Sequence, residues 1–501
     1  MHPLNPYLAK KPDFAHLASL HPSFKPYVTV SPDGYASIDF QDPTALRALT
    51  RALLKEDWGY DVELREDRLC PTLTSYRLDY LYHILDIEPY LSSSDASSPE
   101  SSASGSRPLR VLDIGTGHIA IYPLLLRHLR PTARIIATEL DAVSFHHAVK
   151  TRLYNEILPA SISILRPSPD QPILFPIFDG LANSYSTSRE AGEGDSSSKE
   201  ADKWDFVICN PPFFGSEDEM REGREAKQKG APAAPTASDN ELITPGGEVQ
   251  FVGQMIRESL QLREACQWYT SLIGKYSSLM TLVEQLKGAK IDNYFIHSIK
   301  QSRTTRWILG WSFGSIRLPD SITRVDLIPG TSFAKLLAPP NSFGLTPEPP
   351  LSTEILRDRI EGILRDVQLF PPIPSSTACA QSAAETEDTP STGAQSTAAD
   401  NANVIAIAPI SNTWSRAARR QAARGGGSGS AAPSQPSGSG ASAQPLFRAT
   451  IHFLDVRALP PPKPAVELRW LEGRDRSVVE GLWKFILTKA GLVGGTSKGA
   501  S

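Results

Sequence analysis

Asn210-Pro211-Pro212-Phe213 closes the apolar run Phe206-Val207-Ile208-Cys209. A carboxamide, two prolines and an aromatic ring at the end of a strand suit one demanding reaction, the methylation of an amino group on a planar heterocycle. The lone pair of adenine's exocyclic nitrogen is delocalised into the ring, so that amine is a poor nucleophile. The Asn210 side-chain oxygen and the Pro211 carbonyl would accept its two N–H groups, draw the nitrogen toward sp³ geometry and aim its lone pair at an electrophilic methyl. Pro211 and Pro212 hold φ near −65° and leave carbonyls with no competing N–H beside them. Phe213 offers a face on which a flipped base stacks. Taken alone, the same four residues also describe a strand ending in a proline turn.

A second motif narrows the choice. Arg110 to Ile114 is a short apolar strand that runs into Gly115-Thr116-Gly117, and the apolar stretch Ile119 to Leu126 comes next. Gly115 and Gly117 let the backbone approach a ligand closely, and Asp113 would orient that loop or a ligand ammonium. The pattern is neither a GxGxxG dinucleotide fingerprint nor a P-loop. The next strand, Arg134 to Thr138, ends at Glu139, 24 residues after Gly115. An acid in that place suits a ribose diol, as in dinucleotide folds. Glycine turn, ribose acid and NPPF succeed one another in the chain order of an S-adenosylmethionine-dependent amino-methyltransferase.

The elements that must position these residues are legible. Residues 1–90 read as a helical, aromatic-rich front segment, with Asp42 near the cap of an amphipathic helix running to Asp57. Residues 91–107 form a Ser-rich loop. From 108 to 314, β-rich runs (110–114, 134–139, 161–165, 205–209, 268–273, 304–313) alternate with helical ones, as in a parallel sheet with crossover helices. Polar insertions at 181–203 and 217–241 are too irregular to pack and read as disordered. The second comes directly after NPPF and would either close over RNA or stand as a plain surface insertion. Residues 320–371 and 446–490 read as the two parts of a small α+β module. They are separated by the Ser/Ala/Thr/Gly/Pro-rich stretch 372–445, which reads as disordered. Its cluster Arg416, Arg419, Arg420 and Arg424 suits RNA binding, nuclear import or a solvated patch.

Composition permits this arrangement. The 501 residues allow two to four domains, and 40% hydrophobic residues suit a real core beside disordered stretches. No run of about 18 apolar residues predicts a membrane span, and no basic-then-apolar leader opens the chain. The four cysteines, Cys70, Cys209, Cys266 and Cys379, lack metal-ligand spacing; free thiols and no metal are expected. The net charge of −4 hides a basic stretch from Phe251 to Trp311, where eight Lys/Arg face four acids.

The chain resembles the methyltransferase-like 16 group, which methylates N6 of an adenosine in U6 small nuclear RNA. Bacterial relatives of that group modify an adenine in large-subunit ribosomal RNA. The resemblance covers most of residues 11–314 and rests on Lys11-Pro12-Asp13-Phe14-Ala15-His16-Leu17-Ala18, Leu69-Cys70-Pro71-Thr72, Arg77-Leu78, Asp113 to Gly117, Ile121 to Leu125, Ala137 to Asp141, Cys209 to Phe214, Gly246-Gly247-Glu248, Ser259 to Leu262 and Arg303 to Trp307. It implies a Rossmann-like α/β methyltransferase fold, S-adenosyl-L-methionine as cofactor, structured RNA as partner and work in the nucleus, with the cytoplasm as a second compartment. It also implies cofactor contacts at Arg77, Gly115, Glu139 and Asn210, and an RNA groove holding Lys10, Lys11, Arg303 and Arg306. The C-terminal pieces resemble, more loosely, two regions that help animal members hold U6 RNA. One departure stands out: residues 166–171, where animal members carry a lysine affecting cofactor access, are Pro-rich here and lack lysine.

The expected mechanism is in-line transfer, in which positioning supplies much of the acceleration. No dedicated base is required, because the amine becomes acidic only once methylated and water takes the proton. Three alternatives stay open: a ribosomal RNA substrate, a protein glutamine amide with the same delocalised lone pair, and an RNA-binding protein whose catalytic core has lapsed. A monomer on RNA is the default assembly.

Overall fold

The computed structural model describes residues 1–71, 76–91, 107–190, 203–212, 214–219, 221, 243–301, 304–347, 351–369, 403–425, 444–454 and 465–492. They form two compact units. The first is Met1–Gly314 with Arg324–Ala338; the second is Ser315–Thr323 with the described residues from Pro339 onward. Among the described residues no helix is long and apolar enough to cross a membrane.

The front segment of the first unit is helical at Phe14–Leu20, Pro43–Trp58 and Tyr76–Leu85. Asp42 caps the second of these by accepting the Thr44 N–H at 2.8 Å. Between the first two lies a hairpin of β1 (Val28–Val30) and β2 (Ala36–Ile38), paired antiparallel from Val28↔Ile38 to Val30↔Ala36. The front segment is thus helical with one hairpin added. The difference lies in Ser31-Pro32-Asp33-Gly34, where Gly34 takes φ +84° and closes a tight turn between the two short strands.

A seven-stranded sheet comes after it: β3 (Arg110–Ile114), β4 (Arg134–Thr138), β5 (Ile162–Leu165), β6 (Trp204–Cys209), β7 (Cys266–Ile273), β8 (Tyr294–Gln301) and β9 (Thr304–Trp311). Their spatial order is β5-β4-β3-β6-β7-β9-β8. The first five run parallel, and β9 and β8 close the edge antiparallel. Strands β3 and β6 read as near-continuous apolar runs because both of their faces are covered. Helices Gly247–Leu262 and Tyr276–Gly288 bury Val252, Met255, Ile256, Leu279, Leu282 and Val283 in one core with Val207, Tyr269 and Ile273. The mixed α/β sheet is the expected Rossmann-like fold. Strand β8 is an addition to the expected set: it carries buried His297 and polar Ser298, Lys300 and Gln301, and only Ser302 and Arg303 separate it from β9.

Gly310 in β9 has a packing reason. A Cβ there would sit 2.3 Å from the ring of Phe295, its fully buried partner on β8. Gly310→Ala should destabilise the first unit by about 1–3 kcal/mol. Urea unfolding would check this, and an unchanged midpoint would show that the ring moves aside freely.

In the second unit β10 (Ser342–Leu345), β11 (Val404–Ile407), β12 (Phe447–Phe453) and β13 (Val466–Gly473) form an antiparallel sheet ordered β10-β13-β12-β11. Helices Thr353–Asp366 and Arg476–Lys489 share its core through Leu356, Ile360, Leu482 and Ile486 beside Ile451 and Trp470. This corrects the expectation that 372–445 is wholly disordered. Strand β11 lies inside that stretch and so does helix Arg416–Gly425, and Ile405, Ile407 and Trp414 are buried. The alternation Val-Ile-Ala-Ile spans only four residues and is swamped by its Ser/Ala/Gly surroundings. The insertion assigned to 181–203 is likewise helical at its start, because helix Phe175–Glu190 runs through Leu181. Residues 191–202, 222–242, 370–402 and 426–443, and with them Cys379, lie outside the described residues.

Candidate active site

Strand order reverses between β3 and β6, which makes the crevice beyond their carboxyl ends a topological switch point, where open α/β sheets bind ligands. Ile114 pairs with Thr138 on one side and with Cys209 on the other. The next residues along the three chains are Gly115, Glu139 and Asn210. Three motifs spread over almost a hundred positions therefore meet at one edge, on strands spaced about 4.8 Å apart.

The glycine turn is shaped for close approach. Gly115 and Gly117 take φ +67° and +72°, in the left-handed region, and nothing lies within 4 Å of a Cβ placed on either. The Thr116 N–H extends the ladder to the Thr138 carbonyl at 2.9 Å. Glu139 holds the turn in place: one carboxylate oxygen accepts the Gly117 N–H at 2.8 Å and the other accepts the Asp141 N–H at 2.9 Å. The side chain is half-buried beside the turn.

Asp113 is fully buried, and its carboxylate is short of well-formed hydrogen bonds within the chain. Burial pushes its carboxyl up to about 7; the Glu139 charge adds to that rise, while the Thr116 hydroxyl and the Arg77 cation oppose it. Arg77, on helix Tyr76–Leu85, is buried between the rings of Tyr76 and Tyr122, at 5.4 and 5.6 Å from their centroids. Its Nη1 donates weakly to the Tyr122 hydroxyl at 3.4 Å, and its Nε has no acceptor.

On the β6 side, pairing with β7 ends at Val207↔Tyr269. Tyr80 takes over the strand end: its hydroxyl oxygen accepts the Cys209 N–H at 3.1 Å and contacts Thr270 Oγ1 at 2.8 Å, and Thr270 donates to the Val207 carbonyl at 2.7 Å. With the Thr270 hydrogen committed there, Tyr80 donates to Thr270, and every group in the relay is satisfied. Asn210 is the next residue, and its Oδ1 is buried without a hydrogen-bond partner. An unpaired buried acceptor is costly to leave unmade, so it marks a place shaped for an incoming donor. Pro211 is buried and Pro212 half-buried beside it. Phe213 lies outside the described residues.

The residues expected to hold RNA differ among themselves. Lys10 and Lys11 are exposed. Arg306 is half-buried and committed in part: Nη1 donates to the Gly274 carbonyl at 2.9 Å, and its guanidinium lies 5.9 Å from the Tyr76 centroid. Arg303 lies outside the described residues. Among the described residues three potential metal ligands, His2, His83 and Asp86, come together. His2 Nδ1 accepts the Leu4 N–H at 3.1 Å, so its Nε2 carries the hydrogen and donates to Asp86 at 2.9 Å. That arrangement is a hydrogen-bonded contact.

Tyr80, Tyr122 and Glu248 carry no local sequence signal of their roles. Glu248 is visible in the sequence only as the acid after Gly246-Gly247. It is buried and accepts the N–H groups of Gly274 and Lys275 at 2.7 and 2.9 Å.

A family model described as RNA methyltransferase matches residues 1–315. The chain is 34% identical over 315 residues to the human RNA N(6)-adenosine-methyltransferase METTL16, covering 62% of this chain and 50% of that protein. It is 29% identical over 443 residues to the Schizosaccharomyces pombe U6 small nuclear RNA (adenine-(43)-N(6))-methyltransferase, covering 88% of this chain and 92% of that one. The ribosomal RNA large subunit methyltransferase F of Pseudoalteromonas translucida is 29% identical over 320 residues, which is 62% of this chain. A crystal structure of the hMettl16 catalytic domain with the MAT2A 3′UTR hairpin 6 aligns with a TM-score of 0.51 at 33% identity, over 62% of this chain and 97% of that one. The chain spans about half the length of the vertebrate relatives it matches.

Proposed function

We propose that this chain, which belongs to the RNA methyltransferase family, moves a methyl group from S-adenosylmethionine to N6 of an adenosine in U6 small nuclear RNA. The observation that carries this reading is the alignment of Glu139, Gly115 and Asn210 at one sheet edge, with the Asn210 acceptor buried and unpaired. U6 is favoured over ribosomal RNA by coverage. The match to the U6 enzyme extends over 88% of this chain and so into the second unit, whereas the ribosomal RNA enzyme matches 62%. In this reading the protein works in the nucleus, and its assembly is a monomer on structured RNA.

The residues fit the cofactor. Glu139 places a carboxylate beside the glycine turn, where a ribose diol would sit, the turn offers open backbone, and Asp113 sets a carboxyl near its point of ionisation close to a cationic ligand. When bound, S-adenosylmethionine supplies an electrophilic methyl group. The chain does the rest. Asn210 Oδ1 and the Pro211 carbonyl accept the two N6 hydrogens, which localises the nitrogen lone pair. Phe213 or Phe214 clamps the flipped base. Arg77, anchored between two tyrosines, stiffens the wall of the cofactor site. Lys10, Lys11, Arg303 and Arg306 hold phosphates and fix the register of the RNA. The proton of the methylated amine leaves to water.

Two measurements check the reading. Labelled methyl should pass from S-adenosylmethionine to a U6 transcript as N6-methyladenosine, and neither to ribosomal RNA fragments nor to protein; label in either of those overturns the substrate. The second concerns pH. The Asp113 carboxyl rises from 3.8 to about 7 on folding, so its contribution to stability is complete below pH 3.8 and lost as pH climbs through 7. A cationic ligand favours the ionised form, so cofactor affinity should weaken by up to roughly tenfold per unit as pH falls below 7. Calorimetry should show this slope for the protein and a flat profile for Asp113→Asn.

A further inference from the structure

Two consecutive prolines leave Pro211 and Pro212 with no backbone N–H to anchor them, so beyond the Tyr80–Cys209 bond the path of Asn210-Pro211-Pro212 depends on the residues on the far side of Phe213. Phe214 is tied through its carbonyl, which accepts the Thr244 N–H at 2.9 Å, and through a single parallel bridge to Ile243. Gly215 donates its N–H to Glu219 at 2.6 Å. The Gly215 backbone lies against Gly247: a Cβ on Gly247, itself at φ +63°, would come within 3.2 Å of the Gly215 nitrogen. Both side chains above this contact converge on Lys275. Its ammonium stands 5.0 Å from the Phe214 ring centroid and pairs with the other carboxylate oxygen of Glu219.

Lys275 is well placed to hold a loop because it does not itself belong to one. It sits just past the end of β7, at the N-cap of helix Tyr276–Gly288. Its backbone N–H is clamped by the buried Glu248 carboxylate, which also holds Gly274. Gly274 in turn accepts from Arg306, which lies over Tyr76 beside Arg77. The Lys275 bond, and then the Gly215 N–H, hold the Glu219 carboxyl below its usual range. As an ordinary surface ion pair, Lys275–Glu219 would be worth little. Its position gives it another use.

We propose that Lys275 is a positioning residue for methyl transfer: its ammonium, held between the Phe214 ring and the Glu219 carboxylate, sets the path of the chain after Pro212 and thereby the aim of the Asn210 amide. The proposal rests on the reading of Asn210 as the acceptor of the substrate amine. Lys275 touches neither reactant and acts through Phe214 and Gly215.

Lys275→Met and Lys275→Arg separate charge from bulk, since methionine keeps the stem that lines the cavity beside Glu248. Methyl-transfer kinetics on the full chain should show kcat lower by about tenfold in Lys275→Met, with RNA and cofactor Kd within roughly twofold. Lys275→Arg should recover at least about half of the rate, because a guanidinium also stacks on aromatic rings and pairs with carboxylates. An RNA affinity loss with unchanged kcat would make Lys275 a phosphate ligand and overturn the proposal. Hydrogen exchange on the free protein needs no substrate: the Gly215 amide should exchange about tenfold faster in Lys275→Met, while the Gly274 amide keeps its protection. Unchanged exchange at Gly215 overturns the clamp. A wild-type protein inert toward RNA, with faster Gly215 exchange in the variant, sinks the substrate reading and leaves the clamp standing.

Discussion

Asn210→Ala is expected to lower kcat for methyl transfer by roughly 10²–10³-fold, the scale seen when one preorganised polar group is removed from a reacting centre. RNA affinity should stay within about twofold, because the proposed phosphate contacts lie on residues other than Asn210. The structure supplies the reason for so uneven an effect. Asn210 Oδ1 is buried and unpaired in the free protein, so it loses no partner on truncation, and removing it relieves an unsatisfied acceptor. Folding stability should therefore hold or rise slightly. An Asn210→Ala protein that binds cofactor, keeps its rate and loses RNA affinity would show that this side chain reads RNA and does not polarise the amine. Single-turnover kinetics with saturating RNA separate the two outcomes.

Glu139→Ala should weaken S-adenosylmethionine binding by roughly 10²-fold, about 2.8 kcal/mol. Two losses combine. Charge-assisted hydrogen bonds to a ribose diol are worth about 1.5–3 kcal/mol. The Gly117 and Asp141 N–H groups, at 2.8 and 2.9 Å, also lose the acceptor that shapes the turn. Glu139→Gln keeps one acceptor oxygen and should fall between the two. At saturating cofactor the rate should approach that of the wild type, because Glu139 sits two strands away from Asn210. Calorimetric titration that finds equal cofactor affinity in Glu139→Ala would remove this residue from the cofactor site.

Elements whose signal is local are legible in the sequence. Strands β3 to β7 and β9 show as β-rich runs, and in β3 and β6 the run is apolar at successive positions because that part of the parallel sheet is covered on both faces. The Asp42 cap and the glycine turn are equally local. Strands β8 and β11 are hidden for the opposite reason. The first buries His297 against neighbours far along the chain, and the second is four residues long in a low-complexity stretch. Neither is stable except through its partners, β9 and β12.

By itself the sequence determined the chemistry on offer: a carboxamide before two prolines, an acid 24 residues beyond a glycine turn, and their order along the chain. Those are choices of side chain and backbone freedom made within a few residues. Only the tertiary structure decided that Gly115, Glu139 and Asn210 share one edge, since the register Ile114↔Thr138 and Ile114↔Cys209 brings them there. The same holds for Tyr80, whose hydroxyl completes β6 from a helix in the front segment, and for Lys275, fixed by Glu248 from another helix. Hydrogen bonds between remote residues leave no periodicity behind them, because the energy that selects them comes from burying polar groups whose partners arrive only when the sheet is assembled.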